Sequence, residues 1–386
     1  MKKLFRLSTV PVSLNILLKG QLAYLNNFYQ VTAVSGPGKD LDEVAEREKV
    51  KVFPIEMQRK ISPVKDLVSL WQLYKYFREE KPDIIHSITP KAGLLSMLAG
   101  KLAGVPIRVH TFTGLIFPSR SGIMQQLLIN MDRLLCLSAT HIIPEGEGVK
   151  NDLIQYHITK KTLKIIANGN VNGIDTCFFD PACVDELEQS KLKNQLGISP
   201  HDFVFVFVGR LVSEKGINEL VNAFRILKEK LQNPTEQNIK LLLVGPQEPE
   251  LDPLKPEVLS EITTKQDIIT VGFQQDVRPF FSVSDALVFP SYREGFPNVV
   301  MQAGAMGLPA IVTDINGCNE IIKEGENGVI IPPKDSGALE LAMQRLVTDQ
   351  PFLASLQSNA RIMIEQRYKQ QVVWEALLDE YQKKSK

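Results

Sequence analysis

The sequence has only four cysteines among 386 residues, namely Cys136, Cys177, Cys183 and Cys318. They form no CxxC pair, and no cluster of cysteine and histidine has the spacing that a zinc site needs. We therefore expect neither a disulfide framework nor a structural metal, and we expect a reducing compartment.

Long hydrophobic runs are also missing. No segment reaches the ~18 apolar residues of a membrane span. The first residues, MKKLFRLSTVPVSLNILLKG, begin with basic side chains but soon contain Ser, Thr, Pro and Asn, so they lack the apolar core of a signal peptide. We expect a cytoplasmic protein.

No GxGxxG follows the first apolar run, which argues against a dinucleotide-dependent oxidoreductase. Glycine (24) and proline (23) are dispersed and do not form a low-complexity tail. The composition, 44% hydrophobic and 23% charged, is typical of a globular enzyme or binding protein. A chain of 386 residues is long enough for two domains.

The formal net charge is zero, but the charges are unevenly distributed. Residues 1–175 carry 23 Lys+Arg and 15 Asp+Glu, whereas the remainder carries 21 and 29. Two interpretations stay open. The charge differs between the halves for solubility alone, or the amino-terminal half works beside something anionic, such as a lipid surface or a pyrophosphate.

Short apolar runs alternate with helical patterns in both halves, which predicts βα repeats and parallel sheets. The predicted strands of the first half lie in KKLFRLSTV, FYQVTAVS, KVKVFPIE, PDIIHSIT, IRVHTFTG and ATHIIPEG. Those of the second half lie in FVFVFVG, IKLLLVG, DIITVG, DALVFPS, LPAIVTD and GVIIPP, whose apolar character suits strands buried on both faces. In the helix predicted from VKDLVSLWQLYKYFREE, we expect Val68, Trp71, Leu73 and Tyr74 to face the core.

The predicted fold class is therefore α/β, with two doubly wound domains that face a cleft. The first domain covers residues 1–175 and the second 176–370, and residues 371–386 form an amphipathic helix that can pack back on the first. Ligands of such sheets bind beyond the carboxyl ends of the strands. The polar and glycine-containing segments follow strands, as this rule requires: HSITPKAG, VHTFTG, VGRLVSEKG, TVGFQQD and FPSYREGFPN.

VGRLVSEKG places two cations after a strand. Arg210 can donate bidentate hydrogen bonds to two phosphate oxygens, and Lys215 supplies a mobile point charge just before the next helix. The pair suits a diphosphate. The alternative is two solvated basic residues in a loop.

EGFPNVVMQAGAMG combines an acid with a helix start. Pro297 suits the first helical position, and we then expect the amides of Asn298 and Val299 to bind an anion such as phosphate. Gln302 lies one turn later on the same face. Glu294 precedes the helix near the expected cleft, and its alternative role is that of an ordinary acid interacting with the helix dipole.

Histidine and lysine also follow strands in the first half. His110 is expected at a strand end in VHTFTG, whereas His86, Thr89 and Lys91 precede a helix in HSITPKAG. A lone histidine is more often a core or loop residue than a catalytic one. Lys91 is a candidate anion contact because it opens a helix.

Taken in order, VGRLVSEKG, TVGFQQD and SYREGFPNVVMQAGAMGLPAIVTD resemble the donor domain of retaining GT-B glycosyltransferases of family 4. PDIIHSITPKAGLLSMLAGKLAGVPIRVHTFTG resembles the amino-terminal half of members that extend bacterial surface-polysaccharide or lipid-linked oligosaccharide units. The resemblance spans nearly the whole chain. It implies two Rossmann-like domains, a nucleotide sugar held mainly by the second, and transfer with retention of configuration without a bound metal or cofactor.

The resemblance also implies roles for single residues. Arg210 and Lys215 would neutralise the donor pyrophosphate in place of a metal. Glu294, as the first acid of the family's Glu-x7-Glu motif, and His110, beside the donor sugar, would be the catalytic residues. The implied donor-binding set is Arg210, Lys215, Gly272, Phe273, Gln274, Gly295, Phe296, Pro297, Asn298, Val299 and Gln302, and the acceptor-side set is Thr89, Lys91, Thr113 and Gly114.

Two positions depart from the family pattern. The second acid of the motif, which grips the nucleotide ribose in the family, is Gln302 here. The glycine-rich first loop is also missing, because TVPVSLNILLKGQ contains only Gly20.

We predict a hexosyl- or N-acetylhexosaminyl-transferase that uses a nucleotide diphosphate sugar, with a UDP-sugar as the expected donor. The expected acceptor is a polyprenyl-diphosphate-linked saccharide in capsule, O-antigen or exopolysaccharide synthesis. The protein is expected to lie peripherally on anionic lipid at the inner membrane face, without a nucleic-acid partner. Two alternatives stay open: a GT-B epimerase or phosphorylase, which shares the fold, and a non-catalytic sugar-nucleotide-binding protein, which Gln302 motivates.

Overall fold

The computed structural model describes residues 1–58, 61–231, 238–248, 250 and 252–384. Its chain forms two compact units: Met1–Gly173 with Gln370–Lys386, and Ile174–Lys369. The last two residues of the predicted carboxyl-terminal helix, 385 and 386, lie outside the described residues.

The secondary structure of the described residues alternates strand and helix. The strands are β1 (Lys3–Leu7), β2 (Gln30–Ser35), β3 (Lys51–Pro54), β4 (Ile84–Ser87), β5 (Ile107–Phe112), β6 (His141–Pro144), β7 (Phe203–Val208), β8 (Ile239–Val244), β9 (Ile268–Thr270), β10 (Ala286–Phe289), β11 (Ala310–Thr313) and β12 (Gly328–Ile331). The helices are α1 (Pro11–Leu17), α2 (Gln21–Asn26), α3 (Lys39–Glu48), α4 (Pro63–Glu80), α5 (Pro90–Ala103), α6 (Gly122–Ser138), α7 (Glu147–Gln155), α8 (Glu186–Leu196), α9 (Ile217–Lys230), α10 (Pro256–Thr264), α11 (Arg278–Ser282), α12 (Asn298–Ala305), α13 (Cys318–Ile321), α14 (Ser336–Thr348), α15 (Gln350–Tyr368) and α16 (Gln370–Lys384). Short 3₁₀ turns cover Phe117–Ser119, Pro181–Cys183 and Ser213–Lys215.

Each unit is built on a parallel sheet of six described strands. The order is β3-β2-β1-β4-β5-β6 in the first unit and β12-β11-β10-β7-β8-β9 in the second. Both sheets are doubly wound, because the order reverses between β1 and β4 and between β10 and β7. The predicted α/β class and its two parallel sheets are confirmed.

Strand β7 is an example of a predicted apolar run that forms a buried strand of the second sheet. Its residues, FVFVFV, are buried from Phe203 to Phe207, as expected for a strand covered on both faces by helices.

In the first unit, small residues let α5 lie close to the sheet. A Cβ at Gly100 would stand 2.4 Å from Ile85 Cδ1, so a larger residue there would displace the Ile85 side chain.

Helix α4 corrects one prediction. Leu73 is buried and Tyr74 is partly buried, but Val68 and Trp71 are 52% and 61% exposed. Trp71 lies two residues before Leu73, which is about 200° around a helix, so the two side chains cannot share one face. The buried face is instead Ser69, Leu73 and Phe77.

Helix α16 belongs to the first unit and is anchored there by a buried polar network. Arg6 Nη1 lies 2.6 Å from both His86 Nδ1 and the Tyr381 hydroxyl. Burial and the Arg6 charge hold the pKa of His86 well below its usual value, so the imidazole is neutral and its Nδ1 accepts from Arg6. His86 Nε2 then donates to Thr111 Oγ1 at 2.7 Å.

Candidate functional site

The candidate donor site lies at the carboxyl edge of the second sheet, where the strand order reverses. The segment after β7 carries Arg210 and Lys215, and the segment after β10 carries Ser291 and Glu294. Because β7 and β10 are neighbours in the sheet, their following segments meet at the position where doubly wound sheets bind ligands.

An ion pair joins these two segments. Lys215 Nζ contacts Glu294 Oε1, and Ser291 Oγ donates to the same carboxylate at 2.7 Å. The two charged side chains are only 15% and 16% exposed. Lys215 Nζ also lies 5.6 Å from the centre of the Phe289 ring. Glu294 is therefore held in one position, with part of its surface open to a ligand.

Glycines permit the close approach of the segments around Glu294. Gly216 has φ +73°, and a Cβ there would stand 2.1 Å from the Pro290 carbonyl oxygen. Gly317 has φ +75°, and a Cβ there would stand 2.5 Å from the Gly295 carbonyl oxygen. Only glycine combines this backbone conformation with such short distances, so both positions shape the site.

Two buried residues beneath Glu294 escaped the sequence analysis. Ser291 is fully buried, and its carbonyl accepts a hydrogen bond from Thr313 Oγ1. Cys318 is also buried, and burial together with the nearby Glu294 charge raises the pKa of its thiol well above the usual value. Cys318 therefore stays a neutral thiol. Ser291 follows the apolar strand β10 after a single proline, and this position was the signal that could have indicated it.

Arg210 is already paired with two carboxylates. Its Nη1 donates to Glu248 at 2.8 Å and its Nη2 donates to Glu214 at 2.9 Å. The hydrogen bond to Glu248 is the main reason that the pKa of Arg210 is raised. Its side chain is 42% exposed. These two bonds use two of the five N–H donors of the guanidinium, so a diphosphate that binds Arg210 would share it with the carboxylates.

Helix α12 begins one residue later than predicted. Pro297 is the N-cap, with φ −73° and ψ 109°, and Asn298 is the first helical residue. The restricted φ of proline fits the extended backbone of an N-cap. The helix therefore still begins at this point of the segment, and Asn298 and Val299 are partly buried. Phe296 anchors this start, because it is buried against Tyr368 with ring centres 5.5 Å apart.

Gln302 lies one turn after Asn298 and is partly buried. Among the described residues, its carboxamide has no hydrogen-bond partner. The amide can both donate and accept, and it is available to a ligand.

The loop after β9 carries the other predicted donor contacts. Phe273 is 75% exposed, Gly272 has φ +65°, and Gln274 Nε2 donates to the Val271 carbonyl at 2.7 Å. Strand β9 lies two positions from β7, which is about 10 Å across the sheet. A ligand that reaches this loop from Lys215 must be extended.

The predicted acceptor-side residues belong to the first unit. Thr89, the N-cap of α5, shares a 2.8 Å hydrogen bond with Thr9 Oγ1. Lys91 Nζ donates to both oxygens of Asp66, at 2.8 and 3.0 Å, so its charge is largely matched. Thr113 Oγ1 donates to a backbone carbonyl at 2.9 Å, and Gly114 has φ +114°.

His110 lies inside β5 and not at the strand end where the sequence analysis placed it. Its ring is 1% exposed, and its Nδ1 lies 2.8 Å from Ser87 Oγ. Burial lowers the pKa of His110 to about 3, so the imidazole is neutral near pH 7. The ring packs edge-on against Phe112, with centres 4.6 Å apart. Its catalytic role stays a prediction.

Two absences concern only the described part of the chain. There, no group of three His, Cys, Asp or Glu side chains could hold a metal ion. No helix in those same residues combines the length and apolar character that crossing a bilayer requires. Metal independence of the reaction stays a prediction.

Comparisons with known proteins cover both units. The family model for glycosyl transferases group 1 matches residues 188–363, and the family model for the glycosyl transferase 4-like domain matches residues 21–169. The fold is that of HepE from Anabaena in complex with UDP and glucose, with a TM-score of 0.81, 20% identity, and coverage of 99% of this chain and 100% of that one.

Curated relatives agree with these matches. The capsular polysaccharide biosynthesis glycosyltransferase CapM of Staphylococcus aureus is 32% identical over 98% of this chain and 97% of the relative. UDP-Gal:alpha-D-GlcNAc-diphosphoundecaprenol alpha-1,3-galactosyltransferase of Escherichia coli is 30% identical over 78% of this chain and 76% of the relative.

Two doubly wound units give the chain the GT-B fold, and the matches to family models and relatives identify it as a glycosyltransferase. The chain belongs to the group 1 and 4-like glycosyltransferases, and within them to those of bacterial polysaccharide synthesis.

Proposed function

We propose that the enzyme moves a hexosyl or N-acetylhexosaminyl residue, with retention of configuration, from a UDP-sugar to a polyprenyl-diphosphate-linked saccharide. The observation that carries this proposal is the Lys215–Glu294 pair at the reversal of the second sheet, beside the start of α12. The UDP bound to HepE and the diphosphoundecaprenol acceptor in the name of the Escherichia coli relative support the two substrates.

Leaving-group stabilisation is the main task of the donor site. Negative charge develops on the departing diphosphate, and fixed cations and helix-start amides stabilise it best when they are already in place. Lys215 and Arg210 supply the cations, and the amides of Asn298 and Val299 supply hydrogen bonds. These groups take the part that a metal ion plays elsewhere, so transfer proceeds without one.

Glu294 and Gln302 have different tasks in this proposal. Glu294, held by Lys215 and Ser291, contacts hydroxyls of the donor sugar near the reacting carbon. Gln302 meets the ribose through neutral hydrogen bonds. The exposed Phe273 ring offers an apolar face to the base, beside the backbone of Gly272 and Gln274.

His110 acts in this proposal as a positioning residue. Its neutral ring contacts both Ser87 and Phe112. Thr113 and Gly114, which follow Phe112, belong to the predicted acceptor side. A direct contact between His110 and the donor would require its buried ring to become exposed.

A peripheral membrane location is part of the proposal, at the inner face where the lipid-linked acceptor is expected. Met1–Gly173 with Gln370–Lys386 has 26 Lys+Arg and 17 Asp+Glu, a formal charge of +9. Helix α4 adds an exposed apolar stripe at helical spacing, flanked by the exposed Lys65 and Lys75. The stripe consists of Val64, Leu67, Val68 and Trp71. Such a helix face suits the interface of an anionic bilayer.

We expect the enzyme to sediment with anionic vesicles and to be released as salt rises, because exposed charges are screened over ~10 Å at 0.1 M salt. Replacing Leu67 and Trp71 together by Ser should weaken binding at every salt concentration, because apolar burial is lost. Leu341→Ser, which removes an exposed leucine of α14, is the control and should bind like wild type. Equal binding to neutral and anionic vesicles, or equal binding of the α4 variant, contradicts the proposal.

The transfer reaction itself is tested with a panel of nucleotide sugars and lipid-linked acceptors. A UDP-sugar should raise the unfolding temperature more than the GDP-, ADP- and CMP-sugars do, because a ligand bound to the native state stabilises it. UDP release should then depend on the added lipid-linked saccharide, and the product should keep the anomeric configuration of the donor. Binding without turnover on any acceptor, or an inverted product, contradicts the proposal.

A further inference from the structure

The first unit has its own reversal of strand order, between β1 and β4, and a cavity lies beside it. The cavity has a volume of 410 Å³ and is lined by Thr9, which follows β1, by Thr89, which follows β4, and by Gly114, which follows β5. This is the position where a doubly wound sheet binds a ligand. All the lining residues belong to Met1–Gly173.

The lining is mainly apolar, and most of its polar groups are already paired. Leu94, Leu128 and Met131 supply side chains from α5 and α6. The Thr9 hydroxyl bonds to Thr89 and also accepts from the Ala92 amide at 3.1 Å. Lys91 is paired with Asp66. These groups form the wall of the cavity and need no ligand.

Asp132 on α6 is the charged lining residue that has no partner among the described residues. Its side chain lines the cavity, and within the described residues no cation or hydrogen-bond donor bonds to its carboxylate. Burial raises the pKa of Asp132 to about 7. Placing an unpaired carboxyl group in an apolar wall is unfavourable, so a role in stability does not explain it. A ligand that brings its own hydrogen-bond donors does explain it.

We propose that Asp132 determines which acceptor sugar the enzyme takes, by accepting hydrogen bonds from the hydroxyl groups of that sugar in this cavity. This inference rests on the proposed transfer to a lipid-linked saccharide. A sugar ring offers an apolar C–H face to Leu94, Leu128 and Met131 and hydroxyl donors to the carboxylate. A diphosphate would bring negative charge beside Asp132, and an isoprenoid chain would leave the carboxylate without a donor.

The test measures transfer from a saturating UDP-sugar at pH 8, where Asp132 is mainly ionised. GlcNAc-diphosphoundecaprenol is the first probe, followed by the lipid-linked sugars of the panel. Asp132→Leu should raise the acceptor KM about 10-fold or more, because a hydrogen bond to a charged group is lost. Asp132→Asn should raise it less, and the donor KM should not change in either variant.

Two further variants separate binding from folding. Met131→Trp fills the cavity and should also raise the acceptor KM without changing the donor KM. Asp42→Asn, an exposed acid on α3, is the matched control and should leave both constants unchanged. The unfolding temperature of Asp132→Asn should equal or exceed that of wild type, because no protein partner is lost.

The outcomes distinguish this inference from the proposed function. An unchanged acceptor KM in Asp132→Leu and Met131→Trp overturns the inference and leaves the transfer reaction established. A fall in unfolding temperature of Asp132→Asn, with both KM values unchanged, assigns Asp132 a structural role and also overturns it. Absence of acceptor-dependent UDP release in wild type, over the whole panel, overturns both.

Discussion

Lys215→Ala and Arg210→Ala should each lower kcat/KM for transfer by roughly 10- to 150-fold. Each change removes a charged partner of the departing diphosphate, and such a partner contributes about 1.5–3 kcal/mol. Lys215→Ala has a second consequence, because Glu294 loses its only cation among the described residues. The measurement is initial-rate kinetics with the donor varied at saturating acceptor.

Lys265→Ala is the matched control, since this exposed lysine follows the last residue of α10 and its side chain has no partner within the described residues. It should retain wild-type kinetics. The rates should also be the same with Mg²⁺ and with EDTA. Activity that requires Mg²⁺ and survives both substitutions would show that a metal, and not these cations, stabilises the diphosphate.

Glu294→Gln should lower kcat by about 100-fold while the donor KM changes little. A carboxylate beside the reacting sugar balances positive charge that develops only in the transition state, so its loss appears in kcat. Gln302→Ala should instead raise the donor KM by about 2- to 13-fold with kcat unchanged, because a neutral hydrogen bond contributes roughly 0.5–1.5 kcal/mol. Gln302→Glu should bind the donor as well as wild type or better.

A double-mutant cycle provides the internal control for Glu294. Because Lys215 and Glu294 are in contact, the effects of Lys215→Ala and Glu294→Gln should not add. Gln302 has no bond to either residue, so the effect of Gln302→Ala should add to the effect of each of the other two substitutions. Equal losses of kcat in Glu294→Gln and Gln302→Ala, with donor affinity unchanged, would mean that the two roles are assigned wrongly.

The fold could be predicted because its signals are local. Buried parallel strands need continuous apolar runs such as FVFVFV, and a following glycine, proline or serine ends them. Which face of α4 is buried could not be predicted in the same way. Its sequence has apolar residues on two sides, and only the neighbouring α5 and the sheet decide that Leu73 is buried while Trp71 is exposed.

The order of residues along the chain is enough to place cations after β7, an acid and a helix start after β10, and Gln302 where an acid is usual in the family. The partners of these groups depend on the folded unit. Lys215 and Glu294 are 79 residues apart along the chain, and Arg210 and Glu248 are 38 apart. The order of strands in the sheet brings them together, and strand order depends on the packing of the whole unit. Burial of His110 and exposure of Asp132 to a cavity depend on the same packing, because the surroundings of a side chain are set by residues distant in sequence.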